Sequence, residues 1–185
     1  LGLNNTYISS KADAYNGSPK QNRFSLFSLY RFSLLDKKLE SVIGTRQEII
    51  IGSTPIPLTW SAGLNYIPFK WLSFNLNAGK VYRLPTFNDL FWIPGSNPDL
   101  LPESGYTSDL GIKIKLSGKL LQFSFDPNIF NRNISNWIIW LPEQTFWTPQ
   151  NLMRVWSRGI ETKSGLSYSV KDLSIKLNIL TSYVL

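Results

Sequence analysis

Residues 79–111 read GKVYRLPTFNDLFWIPGSNPDLLPESGYTSDLG. The stretch leaves one alternating segment, runs through a long crossing studded with Pro, Asn and Gly, and enters a second alternating segment. Upstream, Leu72, Phe74, Leu76 and Ala78 alternate with Ser73, Asn75, Asn77 and Gly79. Downstream, Leu110, Ile112, Ile114 and Leu116 alternate with Asp109, Gly111, Lys113 and Lys115. A period of two puts successive side chains on opposite faces of an extended strand, here one apolar and one polar. The same period recurs at Ile56, Leu58, Trp60, Ala62, Leu64 and Tyr66, and again at Leu173, Ile175, Leu177 and Ile179.

Working outward, the pattern predicts nine strands, at 3–15, 22–34, 38–51, 56–67, 70–83, 105–117, 119–140, 151–168 and 171–185. Several exceed the five or six residues usual in soluble sheets and reach the 9–11 that a tilted strand needs to cross a bilayer. The connections alternate in kind. Short turns lie near Leu35-Asp36-Lys37, Pro68-Phe69, Ser117-Gly118 and Val170-Lys171, and longer ones at 16–21, 52–55, 84–104 and 141–150. Short turns at one end and long loops at the other describe an outer-membrane barrel, with the short turns periplasmic. The expected fold is therefore all-β, an antiparallel transmembrane β-barrel segment with the 84–104 and 141–150 loops extracellular. A soluble β-sandwich also alternates and stays open on pattern alone, as does a passive porin or adhesin-type barrel.

Composition narrows the function classes. The 185 residues include no Cys and no His, which removes disulfides, thiolate metal sites and the usual catalytic base. The net charge is +7, but Lys and Arg are scattered and form no basic stripe, so a nucleic-acid partner is not expected. No apolar run approaches the ~18 residues of a spanning helix, and Leu1-Gly2-Leu3-Asn4 does not read as a signal peptide. Carboxylates such as Glu40, Glu48, Asp99 and Glu103 are spread singly among strands and loops. No catalytic constellation, metal spacing or cofactor motif is expected, and the chain reads as a non-enzyme.

The crossing reads first as an ordered loop. Pro85, Pro94, Pro98 and Pro102 fix φ, Gly95 permits a sharp turn, and Leu90, Phe91, Trp92 and Ile93 require something to pack on. In order, Arg83, Pro85-Thr86-Phe87, then Asn97-Pro98, Leu100 and Pro102-Glu103, it resembles TonB-dependent outer-membrane receptors, whose barrels carry R-x-P-T-F followed by N-P-x-L-x-P-E. Asn131 to Ile138 is similar to the strand of these receptors that reads Y-x-x-x-I-x-N-x-I. Asn151 to Glu161, NLMRVWSRGIE, is similar to their return strand, with Asn151, Gly159 and Glu161 in place. Together the resemblance covers about residues 60 to 168.

The resemblance implies a barrel of about 22 strands closed around an N-terminal plug. On that reading the whole of 1–185 is one part of a single barrel domain, from its later half, with the plug absent. It implies import of a large scarce solute across the bacterial outer membrane, cobalamin ahead of a ferric siderophore, energised by the TonB complex through the plug. Phe91, Trp92, Phe146 and Trp147 would offer stacking surface to that ligand. Arg83, Pro85, Thr86, Phe87, Asn97, Pro98, Leu100, Pro102 and Glu103 would structure the loop.

Overall fold

A computed structural model describes residues 1–52 and 55–185. Nine strands follow in chain order: β1 (Gly2–Ser9), β2 (Lys20–Leu34), β3 (Leu39–Ile50), β4 (Thr59–Phe69), β5 (Leu72–Arg83), β6 (Glu103–Ser117), β7 (Leu121–Glu143), β8 (Phe146–Val170) and β9 (Leu173–Val184). Each pairs antiparallel with the next to make one continuous sheet. The described helical content is a single short turn, α1 (Phe87–Phe91). There is one layer and, among the described residues, no second sheet against it, which sets aside the sandwich alternative.

Register shows why the layer needs no partner sheet. Leu64, Leu76, Leu110, Ile129, Ile160 and Tyr183 are successive cross-strand partners from β4 to β9, so they form one apolar row on one face. Their exposure runs from 37% at Leu64 to 61% at Tyr183. An apolar surface of that extent is not stable in water, whereas lipid acyl chains solvate it. The opposite face is polar. There Asn77 Nδ2 donates to Asp109 Oδ2 at 2.8 Å, Lys113 and Asp126 pair at 3.3 Å, and Arg46 Nη2 meets Glu48 at 2.7 Å. Apolar-out and polar-in is the arrangement of a membrane barrel wall.

The buried apolar side chains are not spread through the sheet. Among the described residues they include Ile50, Ile56, Leu100, Ile134, Ile138 and the fully buried Pro149, all at the end where the long connections emerge. The tight turns occupy the other end. Leu35, Asp36 and Lys37 all take positive φ in the β2–β3 turn, and Lys171 does so between β8 and β9.

Several expected boundaries move. The strand expected over 3–15 ends at Ser9, because residues 10–19 leave the sheet and dock on the 84–102 loop. β4 begins at Thr59 rather than 56: Ile56 is buried, and its carbonyl accepts from Gln47 Nε2 at 2.9 Å. The expected 52–55 connection includes 53–54, which lie outside the described residues. The largest correction is at 141–150. The expected loop is a β-hairpin, with Leu141↔Thr148, Pro142↔Trp147 and Glu143↔Phe146 continuing the pairing to a turn at Gln144, where φ is 52°. Pro142 and Pro149 signal a loop, but proline is compatible with a projecting strand wherever its missing N–H is not needed by the ladder.

Candidate functional site

The loop end of the sheet is where the sequence places its candidate residues, and a polar brace holds it together. Arg83 closes β5 and Glu103 opens β6, and the two are direct cross-strand partners. Arg83 Nε donates to Glu103 Oε2 at 2.8 Å and its Nη2 donates to Oε1. Glu103 Oε1 also accepts from the Ile138 backbone N–H at 2.8 Å, which ties the base of the crossing to β7. Glu103 is buried and Arg83 is about half exposed. The carboxylate is thus satisfied by a charge and a backbone donor, as a buried anion must be.

The first half of the crossing is built on Thr86 and Asp89. Pro85 leads into the Thr86 N-cap of α1 with extended geometry. Thr86 Oγ1 accepts from Asp89 N–H at 3.2 Å, and Asp89 Oδ2 accepts from Thr86 N–H at 2.7 Å, a reciprocal capping box. Asp89 is buried, and its second oxygen accepts from the Trp140 indole N–H at 2.9 Å. Phe87 and Phe91, one helical turn apart, meet edge to face at 5.9 Å between centroids.

The second half is fastened to the β7–β8 hairpin by two asparagines. Asn97 Nδ2 donates to the Pro149 carbonyl at 3.1 Å, while its Oδ1 accepts from Asp99 N–H at 3.0 Å. Asn151 Oδ1 accepts from Leu101 N–H at 2.8 Å, and its Nδ2 donates to the carbonyls of Leu101 and Asn136. Leu100 lies buried beside this clamp, with exposed Pro98 and half-buried Pro102 on either side. Asn136 takes positive φ, the conformation in which Asn is best tolerated after Gly. Asp89, Trp140 and Asn136 are working members to which motif reading assigns no role, and Asn151, matched there only as part of the return strand, is a fourth. The Thr86-x-x-Asp89 spacing is the one sequence signal that would have found Asp89.

The four candidate aromatics fall into two places. Phe91 is half-buried against Phe87, and its carbonyl accepts from Asn16 N–H at 3.0 Å. Trp92 forms an isolated bridge with Tyr15 and meets its ring edge to face at 6.2 Å. Tyr15 also donates its hydroxyl to Asn88 Oδ1. Phe146 and Trp147 stand at the hairpin tip on the other side of the crossing, around Gly95. Trp92 and Trp147 keep 40% and 58% of their surface exposed. Among the described residues no ring of one pair stacks on a ring of the other. The site can therefore offer two separate indole surfaces to a large molecule, not one closed aromatic cage.

Below the brace, on the polar face, a cleft of about 410 Å³ is lined by Arg83, Glu103, Thr107, Arg132 and Trp137. A neighbouring hollow of about 460 Å³ lies over Gly44, Gly63, Gly79 and Ser61, where small side chains leave room along the polar wall. Among the described residues no group of three or more Asp and Glu converges in a way that could hold a metal ion.

The family model described as "TonB dependent receptor-like, beta-barrel" matches residues 2–184. The vitamin B12 transporter BtuB of Vibrio vulnificus is 33% identical over 109 residues, 57% of this chain and 17% of its own length. The vitamin B12 transporter BtuB of Photobacterium profundum is 29% identical over 147 residues, 77% of this chain and 23% of its own length. Among solved structures, the siderophore receptor PirA of Pseudomonas aeruginosa superposes with a TM-score of 0.76 at 13% identity, covering 98% of this chain and 35% of that one. The Serratia marcescens hemophore receptor HasR, in complex with its hemophore HasA and heme, gives 0.72 at 14% identity, covering 98% and 38%. At those identities the structural likeness speaks to the fold alone. This chain spans about a fifth of the length of the curated relatives it matches. The family match runs almost from end to end and the nine-stranded sheet agrees with it, so the chain belongs to the TonB-dependent receptor β-barrel family.

Proposed function

We propose that this chain forms wall and loops of an outer-membrane transporter that imports cobalamin, with a ferric siderophore as the second reading. Barrels of this family are outer-membrane proteins of Gram-negative bacteria, and the same residence is proposed here. The observation that carries the cobalamin reading is the sequence likeness to vitamin B12 transporters over 109 and 147 residues. Siderophore receptors enter through the fold, and so rank second.

On this reading the chain's own contribution is architectural and recognitive. The braced crossing holds Trp92 and the hairpin holds Trp147, each presenting an apolar plane at the loop end. A large flat solute is captured by such planes at low entropic cost, because the backbone beneath them is already ordered. The polar inner wall, with small residues at Gly44, Gly63 and Gly79, suits passage of a bulky hydrophilic molecule. Energy would come from the TonB complex acting on a plug domain inside the barrel.

Uptake of labelled cobalamin and of ferric siderophores, compared between a strain carrying the full receptor and its deletion, tests the assignment. Loss of cobalamin import alone is the expected result. Loss of siderophore import alone selects the second reading, and no change in either removes both.

A further inference from the structure

From β3 to β8, one row of cross-strand partners on the polar face runs Gly44, Ser61, Gly79, Thr107, Arg132 and Ser157. All but Arg132 are glycine or carry a short hydroxyl side chain. Arg132 is the one long side chain and the one charge on that row, and it is exposed. With no row neighbour of its own length, its guanidinium has open space along the wall.

Part of that space is the cleft of about 410 Å³ below the brace, which Arg132 lines together with Arg83, Glu103, Thr107 and Trp137. Its charges do not cancel. Arg83 commits Nε and Nη2 to Glu103, and Glu103 is further held by the Ile138 N–H. The brace is neutral as a unit, so two cations against one carboxylate leave the cleft with the charge of Arg132 in excess. Toward the tight turns Arg132 also borders a hollow with Asp109 and Glu161. Asp109 already accepts from Asn77, and among the described residues neither carboxylate comes within ion-pair distance of Arg132. A guanidinium offers five donors in a planar fork that matches an oxyanion. In a concave, polar-walled site its field reaches an anion more strongly than from an open surface. Thr107, its direct partner, adds a hydroxyl, and Trp137 a half-buried ring.

We infer that Arg132 is an anion-binding point on the solute path, bonding an oxyanion carried by the imported molecule. The inference rests on the reading that a solute passes along this wall, and adds the charge of one group which that solute must carry. Both solute classes named above include such a group, a phosphodiester in cobalamin and deprotonated catechols in tricatecholate ferric siderophores.

The test uses the full-length receptor and titration calorimetry with cobalamin, its phosphate-free analogue cobinamide, and ferric enterobactin. R132Q is expected to bind the anion-bearing solute about tenfold more weakly than wild type. If that solute is cobalamin, cobinamide should bind R132Q as it binds wild type, which assigns the phosphodiester. If it is ferric enterobactin, the catecholates are the partner. K163Q removes one cation from the same face nearer the tight turns and should bind like wild type. Unheated gel mobility identifies folded barrel. Wild type gives a reading without any variant, since raising NaCl from about 0.1 M to about 1 M should weaken binding of the anion-bearing solute severalfold. Unchanged affinity in R132Q, or an equal loss for cobinamide, overturns the inference and leaves the import reading standing. An equal loss in K163Q does the same, because it would mean bulk charge. Where R132Q does not fold, wild-type affinity that ignores salt overturns it. Binding of none of these solutes overturns the import reading itself, and the inference with it.

Discussion

Arg83 and Glu103 stand at the two feet of the long crossing and close it with a two-pronged ion pair whose carboxylate also holds the Ile138 N–H. Arg83→Met would leave a buried carboxylate without its charge partner. Breaking a fully buried pair costs about 3–5 kcal/mol. Because the Arg83 side chain is 47% exposed, solvent screening brings the expectation down to about 2 kcal/mol. Proteolytic nicking within 84–102 of the intact receptor should rise about thirtyfold in R83M. The R83M/E103Q double variant should recover part of this, since the carboxamide oxygen still accepts from Ile138. A double variant worse than R83M would show that the pair does not act as a unit.

Asp89 joins three parts of the site, the Thr86 cap, the Trp140 indole and, through its backbone carbonyl, Asn97 N–H at 2.8 Å. Asp89→Ala removes the cap reciprocity and strands a buried indole N–H, so a local loss of about 2–3 kcal/mol is expected. Thr86→Ala removes only the cap hydroxyl, at about 1 kcal/mol. Hydrogen exchange at the amides of 86–97 should report the two losses in that order. If the Thr86 variant exchanges faster than the Asp89 variant, the hub is misplaced.

Gly95 is where the crossing touches the hairpin. Its φ is 107°, and a Cβ there would collide with the Trp147 carbonyl oxygen and press on the Phe146 ring. Gly95→Ala combines a disallowed backbone with a clash against main chain that cannot step aside, so more than about 2 kcal/mol of local destabilisation is expected. The hairpin and the crossing should then move apart. Spin labels at exposed Pro98 and Gln150, each substituted by Cys, should show a longer and broader distance distribution in the G95A background.

Strand existence was legible in the chain because alternation runs through most of the strands, even where Pro127 interrupts β7; it breaks in β2, where Phe27 and Leu29 register with the polar face and Ser28 with the apolar one. The inward and outward sets are legible for the same reason, since period two is a local property. The misreadings share a cause, which is contact between segments far apart in sequence. Tyr15 continues a strand-like run, yet it binds Trp92 and Asn88 instead of β2, a preference no local pattern contains. Asn151 meets Leu101 across a separation of 50 residues, and only the β6–β7–β8 register makes them neighbours. At 141–150 the prolines signalled a break, but the paired backbone of a long hairpin outweighed that local signal.

The exposed indoles give the sharpest test of recognition. Trp92 is held by its bridge to Tyr15 and by the α1 turn, and Trp147 by its pairing with Pro142. The backbone beneath both rings is ordered before any ligand arrives, so truncation removes contact area without unfolding a loop. Trp92→Ala and Trp147→Ala are each expected to weaken ligand binding to the full receptor by about 1–3 kcal/mol, roughly fivefold to 150-fold in Kd. Because the rings occupy separate places, the two losses should add to within ~0.5 kcal/mol in the double variant. Phe91→Ala should act differently. Its ring packs on Phe87 within α1, so it should speed hydrogen exchange in the loop more than it weakens binding. Titration calorimetry with cobalamin separates these effects. Unchanged affinity in both Trp variants would remove the stacking role, and strong non-additivity would mean that the two planes close on one face of the ligand together.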